Sequence, residues 1–319
     1  MIYKIKNNIP SRIGFGEGLK FLGGKYKNII GLGADITGSV NMNFFAEAFP
    51  ERFFSMGIAE QNIAGVCAGL ALAGKIPFFS TYGVFAALRT TDQIRVSICY
   101  NNLPVKIGGA HAGISVGPDG ATHQALEDIA IMRALPNMTV LSPCDSTQTY
   151  LATVAAVEQV KGPCYIRFGR EPMPDFTDIN QEFTVGKSQK LINGKDVFII
   201  ATGHMVWEAI EAAYELKKMK ISAGVINLHT IKPIDTKGII DAAKSAGAIV
   251  TAEEHQIVGG MGSAVAEVLV KNYPVPVEMV GMNDCFGESG QPDELMKKYG
   301  MKSVDIIKAV KKVLNRKLR

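Results

Sequence analysis

Between positions 108 and 128 the chain reads GGAHAGISVGPDGATHQALED. His111, Asp119 and His123 fall within 13 residues of this glycine-rich stretch. Two imidazoles and a carboxylate at that spacing suit proton transfer to and from hydroxyl groups. The stretch follows VKIGG (105–109), an apolar run that reads as a buried strand. A loop at the carboxyl end of a parallel strand is where α/β proteins bind ligands. Two rival readings are zinc, whose common ligand spacings are not met and for which no cysteine lies nearby, and histidines that merely hold the loop. A second chemical signal is MGIAEQN (56–62). Its single Glu60 precedes a helical pattern of small and apolar residues, where poor solvation raises a carboxyl pKa and favours a protonated acid able to donate a hydrogen bond. The plain alternative is a glutamate that favours a helix N-terminus through the macrodipole. In STYGVFAALR (80–89), Tyr82 and Phe85 stand three apart. They either stack on one flat heteroaromatic ring or pack into the core.

Such residues need a scaffold, and the hydrophobic pattern supplies one. Apolar runs at 27–32, 76–80, 105–109, 139–142 and 164–167 alternate with helical patterns at 61–73, 91–100, 125–134 and 146–160. That alternation predicts a parallel sheet covered on both faces. The polar, proline-bearing stretch 170–183 reads as a linker. Strand patterns then resume at 196–201, 222–227, 248–251 and 277–280, with helices at 205–219, 236–245 and 263–271. The expectation is α/β, two domains with mainly parallel sheets, residues 1–172 and 191–319, joined by a linker at 173–190.

The 319 residues are 47% hydrophobic and 20% charged, ordinary values for a soluble two-domain protein. A net charge of +4, evenly spread, does not point to nucleic acid. The basic cluster at 308–319 reads as the solvated face of a terminal helix. Five cysteines without a CxxC pair argue against a disulfide framework, and Cys67 and Cys99 lie among apolar neighbours. With no membrane-length apolar run and no signal-peptide core, the expectation is a cytoplasmic protein without a membrane partner. A glycine string, VGGMGSA (258–264), looks like a nucleotide loop but lacks the strand before it that such a loop requires.

Taken together, the motifs resemble the transketolase family. GIAEQN, the Tyr82/Phe85 pair, DQIR (92–95) and HAGISVGPDGATHQALED occur in the family's order and spacing, as do GLGADITGS (31–39), IRFGREPMP (166–174), INLHTIKPID (226–235) and AEEHQIVGGMG (252–262). The resemblance covers nearly the whole chain and implies the family's C-terminal half: a pyrimidine-binding domain of the thiamine diphosphate fold, then the C-terminal domain. It implies ketol transfer between sugar phosphates on thiamine diphosphate. Glu60 matches the glutamate that hydrogen-bonds N1′ of the aminopyrimidine, and Tyr82 and Phe85 its aromatic contacts, the first of which is usually Phe. Asp35 matches a residue near the thiazolium. His123 matches a residue that serves the donor's hydroxyls, and Asp119 the contact to an acceptor hydroxyl. Ser39, His111 and Arg170 match the clamp on the sugar phosphate, where a guanidinium offers fixed, paired donors. His111 and His123 join Glu60 as the catalytic candidates.

The family's Mg²⁺ site, a GDG followed by an Asn, has no counterpart here. The residues ahead of position 27 are too few for the domain that carries it. The implied partner is therefore an N-terminal transketolase subunit that holds the Mg²⁺ and the diphosphate, with two copies of each chain in an α₂β₂ assembly. No metal ligand is assigned to this chain. Alternatives are a deoxyxylulose-phosphate synthase type, which generally lacks the first loop histidine, a 2-oxoacid dehydrogenase β subunit, which lacks the HAGIS–DG pattern, and a non-catalytic regulatory paralogue.

Overall fold

The computed structural model describes residues 3–317. The first half opens with β1 (Asn7–Pro10) and α1 (Ser11–Lys25), followed by β2 (Ile29–Gly33), α2 (Asn43–Ala48), β3 (Phe53–Ser55), α3 (Glu60–Leu72) and β4 (Ile76–Tyr82). Next come α4 (Thr91–Gln93), flanked by π-helical turns at Phe85–Arg89 and Ile94–Cys99, then β5 (Lys106–Ala110), α5 (Asp128–Ala134), β6 (Thr139–Leu141), α6 (Ser146–Glu158) and β7 (Cys164–Arg167). Strands β6, β7, β5, β4, β2 and β3 lie side by side in that order, all parallel. Every residue of β2 and of β5 is buried, as a strand sandwiched between helix layers requires. The sheet expected from the alternating pattern is thus present. Cys67 and Cys99 are free and buried, as their apolar neighbours implied.

The residues ahead of β2 are where the structure departs from the pattern. Helix α1 holds five glycines in 15 residues, a poor helix former by intrinsic propensity. It forms because it packs closely against α6: a Cβ at Gly14 would stand 1.9 Å from the Ser146 carbonyl. The packing contact outweighs the propensity.

The segment expected to be a linker is an ordered strap. Its β8 (Pro172–Asp175) pairs antiparallel with β1. Beyond it the buried Asp145 carboxylate accepts from the Phe176 and Thr177 backbone N–H groups at 2.9 and 2.8 Å. Phe176 and Phe183 are buried.

The second half contains β9 (Gln189–Ile192), β10 (Val197–Ala201), α7 (Met205–Lys218), β11 (Ala223–Asn227), β12 (Thr230–Lys232), α8 (Thr236–Ala246), β13 (Ile249–Gln256), α9 (Met261–Asn272), β14 (Val277–Met282), α10 (Pro292–Lys298) and α11 (Ser303–Lys317). Its sheet runs β14-β13-β10-β11-β9, parallel except for β9. Strand β12 does not join that sheet. It pairs antiparallel with β6 and makes the outer edge of the first half's seven-stranded sheet. The basic terminal helix is real, and it buries Ile306, Val310 and Val313 on its other face; Leu318 and Arg319 of the expected cluster lie outside the described residues. Contrary to expectation a strand does precede the glycine string, because β13 runs on through the charged residues to Gln256. The string is instead closed by the protein itself, both carboxylate oxygens of Glu253 accepting from the Met261 and Gly262 N–H groups at 2.6 and 2.7 Å.

Candidate active site

The first sheet delivers all the expected site residues to one edge. Asp35 and Ser39 follow the carboxyl end of β2, Glu60 follows β3, and Phe85 follows Tyr82 at the end of β4. His111 follows β5 and leads the loop that carries Asp119 and His123, and Arg170 follows β7. The register of neighbouring parallel strands brings these ends together.

Three clusters form along this edge. In the first, the Ser39 and Tyr82 hydroxyls lie 3.2 Å apart and the His111 ring stacks on Tyr82 with centroids 4.4 Å apart. His111 Nε2 is 3.2 Å from the Ser39 carbonyl, which only accepts, so this nitrogen carries the proton. Its Nδ1 is buried and has no partner among the described residues. Burial, reinforced by the Arg12 and Arg170 charges, lowers the His111 pKa to about 4, so the ring is neutral at neutral pH. In the second cluster Arg170 Nη1 donates to Asp119 Oδ2 at 3.0 Å and to the Val116 carbonyl at 3.4 Å. In the third, the His123 ring meets the Phe85 and Tyr82 rings edge-on at 5.3 and 5.7 Å. Thr122 Oγ1 lies 2.9 Å from His123 Nδ1. Asp35 is exposed, in a left-handed conformation with φ 64°.

Glu60 is the first residue of α3 and is 3% exposed. The helix start favours its charge. Arg89 Nη1 donates to Glu60 Oε2 at 2.9 Å, and the same guanidinium covers the Phe85 ring at 4.1 Å. Oε1 is held only by a long 3.4 Å contact from Thr81. The carboxyl group is buried as expected, but it is ion-paired rather than isolated.

Two functional candidates escaped the sequence reading. Arg89 lies within the quoted STYGVFAALR stretch, three residues before DQIR, yet only the fold places it on Glu60. Arg12 sits in α1, where no element was expected. Its Nη1 donates to the Ser39 carbonyl at 2.7 Å, the same oxygen that His111 faces. Burial and the nearby Arg170 charge lower the Arg12 pKa, a sign of two guanidinium groups crowding one site. Two guanidinium groups beside a polar hydroxyl pair give this part of the edge the donors that suit an anion, while the bare His111 Nδ1, as the unprotonated nitrogen, can only accept. A carboxylate beside an aromatic ring, one oxygen weakly engaged, makes a site for a flat nitrogen heterocycle.

Fold and site together define a two-part α/β protein that gathers a buried carboxylate, aromatic rings, histidines and guanidinium groups at the carboxyl ends of its first sheet. Family models agree: residues 7–174 match the transketolase pyrimidine-binding domain and residues 186–306 the transketolase C-terminal domain. A solved structure described as a split gene transketolase, inactive β4 tetramer, superposes with a TM-score of 0.91 at 49% identity, covering 97% of this chain and 99% of that one. A proposed transketolase C-terminal section of Methanocaldococcus jannaschii is 46% identical, covering 94% of both chains. Human transketolase is 35% identical over 98% of this chain but only 50% of its own length. The chain belongs to the transketolase family and corresponds to its C-terminal part. Among the described residues no helix is long and apolar enough to cross a membrane.

Proposed function

We propose that this chain is the C-terminal subunit of a split transketolase, which moves a two-carbon ketol unit from a ketose phosphate to an aldose phosphate with thiamine diphosphate. The observation that carries the reading is the convergence of Glu60, the aromatic pair and the arginine–histidine anion site on one sheet edge. Glu60, Tyr82 and Phe85 would hold the aminopyrimidine end of the cofactor, with Asp35 towards the thiazolium. When bound, thiamine diphosphate supplies the electron sink for breaking a carbon–carbon bond beside a carbonyl. Glu60 would hold the ring's nitrogen edge by a hydrogen bond and pass a proton there through its weakly engaged Oε1. Arg12, Arg170, Ser39 and His111 bind the sugar phosphate, while Asp119 and His123 take its hydroxyls and pass protons.

An N-terminal subunit carries the Mg²⁺ and the diphosphate in this reading, and the working enzyme is an α₂β₂ assembly in the cytoplasm. Exposed apolar residues around α3 support a covering chain: Ile58, ahead of the helix, and Leu72, at its far end, are each 74% exposed, and Leu88 is exposed as well. A relative named as a 6-deoxy-6-sulfo-D-fructose transketolase subunit, from Clostridium sp., is 43% identical over 92% of this chain. It supports a subunit that acts with a partner. The test is reconstitution with a chain that carries the GDG site, followed by a ketol-transfer assay. Glu60→Gln should lower turnover at the high end of roughly 10²–10⁴-fold, because Gln cannot pass a proton. Substantial turnover in Glu60→Gln would remove the thiamine mechanism.

A further inference from the structure

We propose that Glu254, a residue of the second half, is a positioning residue for the sugar-phosphate site: it holds the 111–124 loop and, through that loop, the Arg170 side chain. The proposal rests on the reading of that loop as the sugar site. It gives the second half a part in substrate binding.

Glu254 lies on β13 and is 4% exposed. Its Oε1 accepts from the Ser115 backbone N–H at 2.6 Å. A carboxyl group in so closed a place is costly unless hydrogen-bonded, and here it spends a bond on the loop's main chain. The loop is shaped to receive it. Gly113 has φ 91°, and a Cβ there would stand 2.3 Å from Glu254 Oε1, so any other residue would drive the carboxylate off. The main chain of Glu254 is itself fixed, because its carbonyl accepts from Arg167 Nη2 at 2.8 Å. That guanidinium is held in turn by the buried Asp128 at 2.9 Å.

The same side of the loop has two further supports from the second half. Gln124 Nε2 donates to the Glu288 carbonyl at 2.9 Å, and Gly117 backs onto Pro292. On the other side the loop holds the substrate residue. The Val116 carbonyl, one residue beyond Ser115, and the Asp119 carboxylate both accept from Arg170. A path of direct bonds therefore runs from β13 through Ser115 and Val116 to the guanidinium of the anion site.

Hydrogen–deuterium exchange on the isolated chain reads the loop without any enzyme assay. Glu254→Ala should speed exchange across residues 111–124 by about ten-fold or more, the scale of a lost bond to a charged group. Glu254→Gln keeps a carbonyl oxygen for the Ser115 donor and should stay near wild type. Ser115→Pro removes the donor from the other side and should reproduce the Ala result, which covers the case in which Glu254→Ala does not fold. In the reconstituted enzyme Glu254→Ala should raise KM for a phosphorylated acceptor roughly ten-fold. The KM for a non-phosphorylated acceptor should rise less, because it loses only the placing of Asp119 and His123 and not the Arg170 contact. Unchanged loop exchange in Glu254→Ala and Ser115→Pro overturns the proposal, as does an equal rise in KM for both kinds of acceptor. A wild-type assembly without ketol transfer would instead refute the functional reading, and the exchange result would still decide the role of Glu254.

Discussion

Arg170→Ala offers the sharpest test of the proposed anion site, because on that proposal the substitution does two things. It removes one charge-assisted bond to the sugar phosphate, roughly 1.5–3 kcal/mol. It also uncovers Asp119, whose carboxylate Arg170 now neutralises at 3.0 Å. With the guanidinium gone, that charge faces the phosphate across the width of the missing group, about 6 Å. For a pair that far apart at an effective dielectric between those of water and a protein surface, the repulsion is roughly 1 kcal/mol. The two effects together amount to roughly 2.5–4 kcal/mol, or about two to three orders of magnitude in KM for a phosphorylated acceptor. Adding Asp119→Asn should return roughly the last kilocalorie, since Asn still bonds a hydroxyl but carries no charge. The assay is steady-state kinetics on the reconstituted enzyme with a phosphorylated and a plain acceptor. Equal losses with both acceptors would refute the clamp, and a double variant no better than the single would refute the masking of Asp119.

Arg89→Met leaves the buried Glu60 carboxylate without its cation, so turnover of the reconstituted enzyme should fall roughly ten-fold or more, the scale of a lost bond to a charged group; unchanged turnover would remove Arg89 from the site. Acid stability follows from three histidines. Burial pushes His111, His229 and His255 each to about 4, below the unfolded value of roughly 6.5, so they stay neutral in the fold while the unfolded chain takes up protons. Their contribution is complete above pH 6.5 and is lost as pH falls towards 4. Glu253, raised by burial to about 7, works in the opposite sense between its unfolded value and pH 7. The balance of about two protons gives a slope of about 2.7 kcal/mol per pH unit near pH 5.5, measurable by urea unfolding at pH 5 and 6.5. Stability that is flat or greater at the lower pH would contradict these burials. Isothermal titration of the isolated chain with Mg²⁺ and thiamine diphosphate should show only weak binding; tight binding would reveal a diphosphate site within this chain.

Period and order made much of this protein legible. The parallel strands of both halves, except the short edge strand β3, were visible as short apolar runs, and His111, Asp119, His123 and Glu60 as rare titratable groups among small residues. Helix α1 was not visible, because glycine lowers helix propensity while the reason for glycine at position 14 is the α6 backbone, more than 130 positions away. Arg12 was lost with that helix. Arg89 was in view but uninformative, since an arginine four residues past Phe85 reads as a solvated charge until the π-helical turn carries it over the ring. The strap at 170–183 looked open for a similar reason. Its prolines are compatible with an edge strand, and Asp145, which anchors it, belongs to a distant helix cap.

Strand β12 has a practical consequence for anyone who wishes to express the first half alone. A cut at the strap leaves behind residues 230–232, and β6 loses its outer neighbour. All three residues of β6 are buried in the intact chain, and the Ser142 N–H that now donates to the His229 carbonyl at 2.8 Å would also be bare. Such a fragment would present a raw sheet margin, the usual template for edge-to-edge aggregation. Insoluble truncations at this boundary would therefore report a missing strand and say nothing against the stability of the remaining fold. A workable fragment must bring β12 along, for instance by grafting 229–232 after β7 through a short flexible tether.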